Sequence, residues 1–178
     1  MKNLYFSVVV SMALGITGAA ADSHESVTVT VNAVDATGVG ASLGTIEFKD
    51  AHHGLEVKPN LHGLTPGEHG FHIHENPDCG PKEKDGKMTA AQAAGAHFDP
   101  RGTGKHMGPH GGGHQGDLPK LEVAADGTAT KALHIHELTL KDVRNRSVMI
   151  HAGGDNYSDS PAPLGGGGPR VGCGVIPQ

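Results

Sequence analysis

The 178-residue chain has no tryptophan, two tyrosines, four phenylalanines and two cysteines. It has no excess of positive charge either: the net is −5 with histidine neutral. That excludes the strongly basic face of a nucleic-acid binder. Long apolar runs are also missing. The one candidate, from Leu4 to about Gly15, is shorter than the roughly 20 residues a membrane span requires. That run follows Met1-Lys2-Asn3 and leads into small residues at Gly18, Ala19, Ala20 and Ala21, the layout of a cleaved secretory signal. No cysteine stands at the junction, which argues against a lipid-modified amino terminus. Residues 1–21 are therefore expected to be removed on export. Residues 22–178 are expected to form the mature protein, with no stable membrane insertion.

About 157 residues remain, enough for one domain with its own core and too few for two of ordinary size. In an exported protein the two cysteines, Cys79 and Cys173, read naturally as one bridge. It would close a loop of about 95 residues, for which the chain-entropy model gives about 4 to 5 kcal/mol. The alternative, free thiols serving as soft metal ligands, has no Cys-x-x-Cys spacing behind it. What the chain has in abundance is histidine, 14 residues, and glycine, 28. Imidazole is the commonest metal-ligating side chain, so the count alone raises the expectation of a metal protein.

Helical periodicity is absent over any long stretch. Ser26–Asn32 and Gly44–Lys49 alternate apolar and polar residues, the pattern of half-buried strands. Shorter strands are predicted at Leu55–Val57, Gly70–His74, Leu121–Ala124, Ala129–Leu133, Ser147–His151 and Val171–Val175, with Asp126-Gly127 as a hairpin signal. Seven or eight short strands point to an all-β sandwich or flattened barrel. Two segments do not read as strands, Asn76–Pro119 and Gly153–Pro169; loops this long in a compact domain are usually functional or disordered. Their histidines favour function. There is no internal repeat.

In Phe71-His72-Ile73-His74 the strand period of two sends the apolar pair to one face and both imidazoles to the other. Val148, Ile150 and His151 divide in the same way, so three imidazoles can share the outer face of a rigid sheet. The first long loop adds His97, His106, and His114 followed by Asp117. Three nitrogens and one carboxylate make a complete tetrahedral zinc set. Imidazole nitrogens alone suit copper.

The segments Gly67-Glu-His-Gly-Phe-His-Ile-His-Glu75, Gly95-Ala-His-Phe-Asp-Pro100, His114-Gln-Gly-Asp-Leu-Pro119, Met149-Ile-His-Ala-Gly-Gly-Asp-Asn156 and Gly166-Gly-Gly-Pro-Arg-Val-Gly-Cys-Gly-Val-Ile176 resemble, in order and spacing, the motifs of the copper,zinc superoxide dismutase family. The likeness covers nearly all of the mature chain. His-Xaa-Gly-Asp-Leu-Pro and Pro161-Ala-Pro-Leu-Gly-Gly-Gly-Gly resemble the bacterial periplasmic branch, which implies a periplasmic location. The resemblance implies a Greek-key sandwich or flattened eight-stranded barrel with two long functional loops, superoxide as substrate, and one copper and one zinc ion per subunit. It further implies copper bound by His72, His74, His97 and His151, and zinc bound by His97, His106, His114 and Asp117, with His97 bridging. Asp155 would steady one histidine of each metal, and Arg170 would lie beside the open copper face, drawing in the anion. His97 would also carry a proton during turnover. A homodimer is possible within the family. Lys82, Lys84 and Lys87 are a further candidate source of attraction for a small anion; an ordinary solvated loop is the plain alternative.

The other histidines have plainer readings. His134-Ile135-His136 repeats the spacing of the copper pair but matches a family region without ligands, and is read as surface. His52 and His53 sit in a polar turn, and His24 and His62 have no partner in sequence. His110 lies between two expected zinc ligands and is read as a spectator or a weak extra ligand. His69 resembles a family histidine with a structural role. Two other functions compete. A metal buffer would account for the histidines but not for Arg170 beside Cys173. A zinc hydrolase of the His-Glu-x-x-His kind would need a motif that is absent.

Overall fold

The computed structural model describes residues 25–178; the expected signal over residues 1–21 and His24 lie outside the described residues. In chain order the strands are β1 (Ser26–Asp35), β2 (Gly38–Ala51), β3 (Gly54–Leu61), β4 (Gly67–His69), β5 (Phe71–His74), β6 (Lys82–Lys84), β7 (Lys87–Thr89), β8 (Leu121–Val123), β9 (Leu133–Ile135), β10 (Arg146–His151) and β11 (Arg170–Ile176). One short helix, α1 (Leu140–Val143), precedes β10.

Alternation sets this architecture. Val29 and Val31 of β1, Ile46 and Phe48 of β2, and Leu55, Val57, Pro59 and Leu61 of β3 are buried, while the residues that alternate with them face outward. A one-residue slip in any of these strands would turn the whole apolar set to solvent, so the register is strongly specified. Seven strands form one antiparallel sheet in the order β5-β10-β11-β1-β2-β3-β9. In it β11 returns to lie beside β1, a Greek-key placement. The separate pair β4 and β8 supplies Leu121 and Val123 to the same core. The curled sheet and that pair enclose one apolar cluster, which confirms an all-β sandwich or flattened barrel. Among the described residues no helix is long and apolar enough to cross a membrane.

The outer face of β5 and β10 is organised differently. Phe71 and Ile73 enter the main core with Val148 and Ile150, and the register sets His72 opposite Met149 and His74 opposite Ser147 on the other face. A second apolar cluster, of Val34, Cys79, Ala91, Ala94, Met149 and Cys173, packs the first long loop against that face. The disulfide between Cys79 and Cys173 ties the loop to β11, as expected. β5 is the edge of the sheet, yet its free side is covered by returning loop. Ile73 donates to Gly116 and accepts from Phe98, and Leu118 donates to Phe71. These contacts protect an edge that would otherwise be exposed and bring His97 and Asp117 beside His72 and His74.

Three sequence expectations need correction. The strand predicted at Ala129–Leu133 begins only at Leu133, and Ala129 makes a single bridge to Leu61. Asp126-Gly127 does make a tight turn, closed by Ala124 donating to Thr128, with Gly127 at φ +81°. Its arms then part, β8 pairing with β4 and the following segment crossing to β3, because the core rewards those pairings more than a local hairpin. Within the first loop, a segment that does not read as strand contains the hairpin β6–β7, with Asp85 and Gly86 both at positive φ. That is the geometry of an Asp-Gly turn. Its flanks are lysines rather than alternating apolar residues, which hid the signal.

Replacing both Cys79 and Cys173 with serine should lower the unfolding free energy by about 2 to 5 kcal/mol. Guanidinium unfolding of the metal-free protein checks this, and an unchanged midpoint would show that the second cluster alone anchors the loop.

Candidate metal centre

Seven of the expected residues are gathered on the outer face of β5 and β10. His72, His74, His97 and His151 present ring nitrogens that all lie within 4.8 Å of one another. A second group within the same limit is His72, His97, His106 and Asp117. His114 stands slightly outside it, its Nδ1 3.5 Å from Asp117 Oδ1. All of these side chains are buried except His114, which is nearly so.

His72, His74, His97 and His151 each have one nitrogen tied down and one bare. His74 Nδ1 donates to the Gly95 carbonyl at 3.0 Å, and His151 Nδ1 to the Gly168 carbonyl at 3.0 Å. His72 Nε2 donates to Asp155 Oδ2 at 2.8 Å, and His106 Nε2 to Asp155 Oδ1 at 2.7 Å. Carbonyl and carboxylate oxygens only accept, so in the neutral rings of His72, His74 and His151 the contact fixes the tautomer and leaves the opposite nitrogen with a lone pair. The atoms without a partner are His72 Nδ1, His74 Nε2 and His151 Nε2, joined by His97 Nε2 and His114 Nδ1, while His106 Nδ1 faces Asp117 Oδ2 at 2.9 Å. An unsatisfied buried polar atom costs about 1 to 3 kcal/mol. Five of them converging in one place are intelligible if cations complete them.

The two groups share His72 and His97, but only His97 can serve both. The Nε2 of His72 is held by Asp155, leaving a single donor. His97 turns Nδ1 to Asp117 Oδ1 at 2.8 Å and leaves Nε2 buried and bare toward the other group. One carboxylate, Asp155, grips a histidine of each group, and Tyr157 N donates to it as well. A Cβ on Gly165 would lie 2.0 Å from Asp155 Oδ1, so the second loop approaches as closely as only glycine permits.

The electrostatics follow from burial and from neighbouring charge. Desolvation, aided by the His97 charge, pushes His72 down to about 3. Desolvation likewise takes His151 to about 4 and drives His74 well below its usual range. Burial also opposes charge on His106, yet the flanking carboxylates Asp117 and Asp155 win and raise it to about 9. Both carboxylates are in turn held far below their ordinary range by the histidines, against desolvation. Neutral imidazoles in one group, and ionised carboxylate beside imidazole in the other, are two chemically distinct donor sets.

Arg170 stands opposite His151 where the register of β10 and β11 shifts, an irregularity that re-aims side chains. Its guanidinium donates to Ala91 O at 2.6 Å and Gly95 O at 2.7 Å. The Gly95 carbonyl therefore joins Arg170 to His74. His69 spans the carbonyls of Thr65 and His151 at 2.7 Å each, consistent with a structural part. His110 belongs to neither donor group, and Lys82, Lys84 and Lys87 are exposed on β6–β7. The sequence did not reveal three supports: the carbonyls of Gly95 and Gly168, and Asp159, which accepts from His106 N. Backbone carbonyls carry no sequence signal, and Asp159 lies in an otherwise ordinary loop.

Comparison with known proteins agrees. The model of the family described as copper/zinc superoxide dismutase matches residues 42–176. A superoxide dismutase [Cu-Zn] of Brucella abortus is 52% identical over 153 residues, 85% of this chain and 88% of that protein. One from Escherichia coli is 49% identical over 172 residues, 96% of this chain and 98% of that protein. The solved Cu/Zn superoxide dismutase of Brucella abortus superimposes with a TM-score of 0.84 at 52% identity, covering 85% of this chain and 99% of that one. The solution structure of the monomeric copper, zinc superoxide dismutase of Salmonella enterica gives 0.78 at 54% identity, covering 85% and 99%.

Without metal, the buried neutral histidines set the response to acid. Their folded pKa values lie below the unfolded value of about 6.5, so the stability they contribute is full above that pH and is lost as pH falls toward 3 to 4. His106 works the other way, stabilising below about 6.5 and losing its contribution as pH rises through about 9. The depressed carboxylates add to the acid loss. The melting temperature of the metal-free protein should therefore fall steadily from pH 6.5 to pH 4; a flat profile there would contradict the geometry.

Proposed function

The chain belongs to the copper/zinc superoxide dismutase family, and from that premise we propose how its residues divide the work. The protein converts two superoxide anions and two protons into oxygen and hydrogen peroxide, using one copper and one zinc ion per subunit. Bound copper supplies the one-electron redox step, and bound zinc supplies a fixed positive charge without redox.

In this reading His72 Nδ1, His74 Nε2, His97 Nε2 and His151 Nε2 hold copper. His97 Nδ1, His106, His114 and Asp117 hold zinc. The observation that carries it is the buried ring nitrogen left bare on each of His72, His74, His97 and His151 while the opposite nitrogen is hydrogen-bonded. His97 would serve both metals, and its Nε2 would be the atom that takes up and returns a proton, with Nδ1 turned toward Asp117. Asp155 holds His72 and His106 in orientation, coupling the two halves of the centre. Arg170, fixed by two loop carbonyls, offers the anion a cation beside His151 and His74. The hairpin β6–β7 belongs to the loop that Arg170 holds, so Lys82, Lys84 and Lys87 extend the positive field around the approach.

We further propose export to the periplasm with loss of residues 1–21. Their composition and the Cys79–Cys173 disulfide, which persists in oxidising compartments, support this.

Two experiments test the assignments. His97→Ala should weaken zinc binding by at least about tenfold and alter the copper absorption spectrum together; lost zinc with an unaltered copper spectrum would break the bridge assignment. Replacing Lys82, Lys84 and Lys87 together with serine should lower kcat/KM and flatten its dependence on ionic strength, since attraction between separated charges is screened by salt. An unchanged salt profile would remove the lysines from the approach.

A further inference from the structure

We propose that the outward face of β9 and β3 carries a second, peripheral site for a divalent transition-metal ion, held by His134, His136 and Glu56. This inference does not rest on the assignments in the buried centre.

The sheet supplies the placement. Ile135 is 3% exposed and Leu55 1%, and they pair in register with their side chains in the core. The strand period of two therefore turns His134 outward, and His136, in the turn that follows β9, is exposed as well. Two exposed imidazoles two residues apart, one on the strand and one in the turn after it, can reach one ion. Register also sets Glu56 directly opposite His134, where Glu56 Oε1 lies 4.0 Å from His134 Nε2. That is too long for a hydrogen bond. It is close to the roughly 3.3 to 4 Å expected between two ligands that share an ion at bonds of about 2.0 to 2.2 Å. The other carboxylate oxygen, Oε2, is paired with Lys58 at 2.8 Å, which fixes the side chain and leaves Oε1 facing the imidazole.

His136 repeats the device seen in the buried centre. Its Nδ1 lies 3.1 Å from the His53 carbonyl, which can only accept, so Nδ1 carries the hydrogen and Nε2 presents the lone pair. His74 and His151 are prepared in the same way by Gly95 and Gly168.

The site is not preassembled to the same degree. Among the described residues, groups of three or more donors within 4.8 Å occur only in the buried centre. The His134 side chain is 61% exposed, so rotation of a solvated imidazole completes the peripheral set. Ordering that side chain costs conformational entropy, which makes this the weaker site. Two imidazoles and one carboxylate select Cu(II), Ni(II) and Zn(II) over magnesium or calcium, with Cu(II) tightest. β9 and β5 lie at opposite ends of the seven-stranded order, so occupancy of one site leaves the donors of the other untouched.

Protein loaded with copper and zinc, titrated with Ni(II) by calorimetry at neutral pH, should take up one further equivalent. His134→Asn with His136→Asn should weaken that step at least about tenfold, and Glu56→Gln should weaken it less, both with dismutase activity unchanged. His110→Asn should leave the isotherm as in the parent. No further equivalent in the parent, an isotherm unchanged in the double variant, or loss of the step in His110→Asn instead, would each overturn the proposal.

Discussion

Bare imidazole nitrogens, buried and held converging, are the constraint around which this molecule is organised. Left in water they would cost nothing; in a metal-free interior each costs stability, and nothing in the protein repays it. The chain therefore has to be rigid enough to hold them in place. Asp155 is the keystone because its two oxygens grip rings from both donor groups, so neither group can shift without the other.

The sheet and the loops share that task unequally. β5 and β10 fix His72, His74 and His151 by register, since their neighbours Phe71, Ile73, Val148 and Ile150 are locked in the main core. The first loop carries His97, His106, His114 and Asp117 and has no such core of its own. It is held by the small cluster around Met149, by the disulfide to β11 and by the backbone bonds that cover the free side of β5. The Gly95 carbonyl accepts from both His74 and Arg170, so the group that orients one ring of the centre also holds the Arg170 guanidinium. A disturbance of the loop would reach both.

Much of this was legible in the residues. Alternation in β1, β2 and β3 reported burial on one face, and the His-x-His spacing in β5 reported imidazoles on the other. Where the pattern failed, the cause was tertiary. Ala129 was drawn to Leu61 rather than extending a strand, and β6–β7 formed on turn geometry with no apolar alternation to announce it. His134 and His136 show the same limit, since their spacing equals that of His72 and His74.

The sequence by itself determined the β class, the division of histidines between strand and loop, the candidate donor set and the pairing of the only two cysteines, because side-chain type and spacing are local properties. Only the tertiary structure decided which imidazoles are dry and which are solvated, which nitrogen of each ring is free, and that one carboxylate spans both groups. Those depend on what packs against each ring, and a strand cannot encode in its own residues the loop that will cover it.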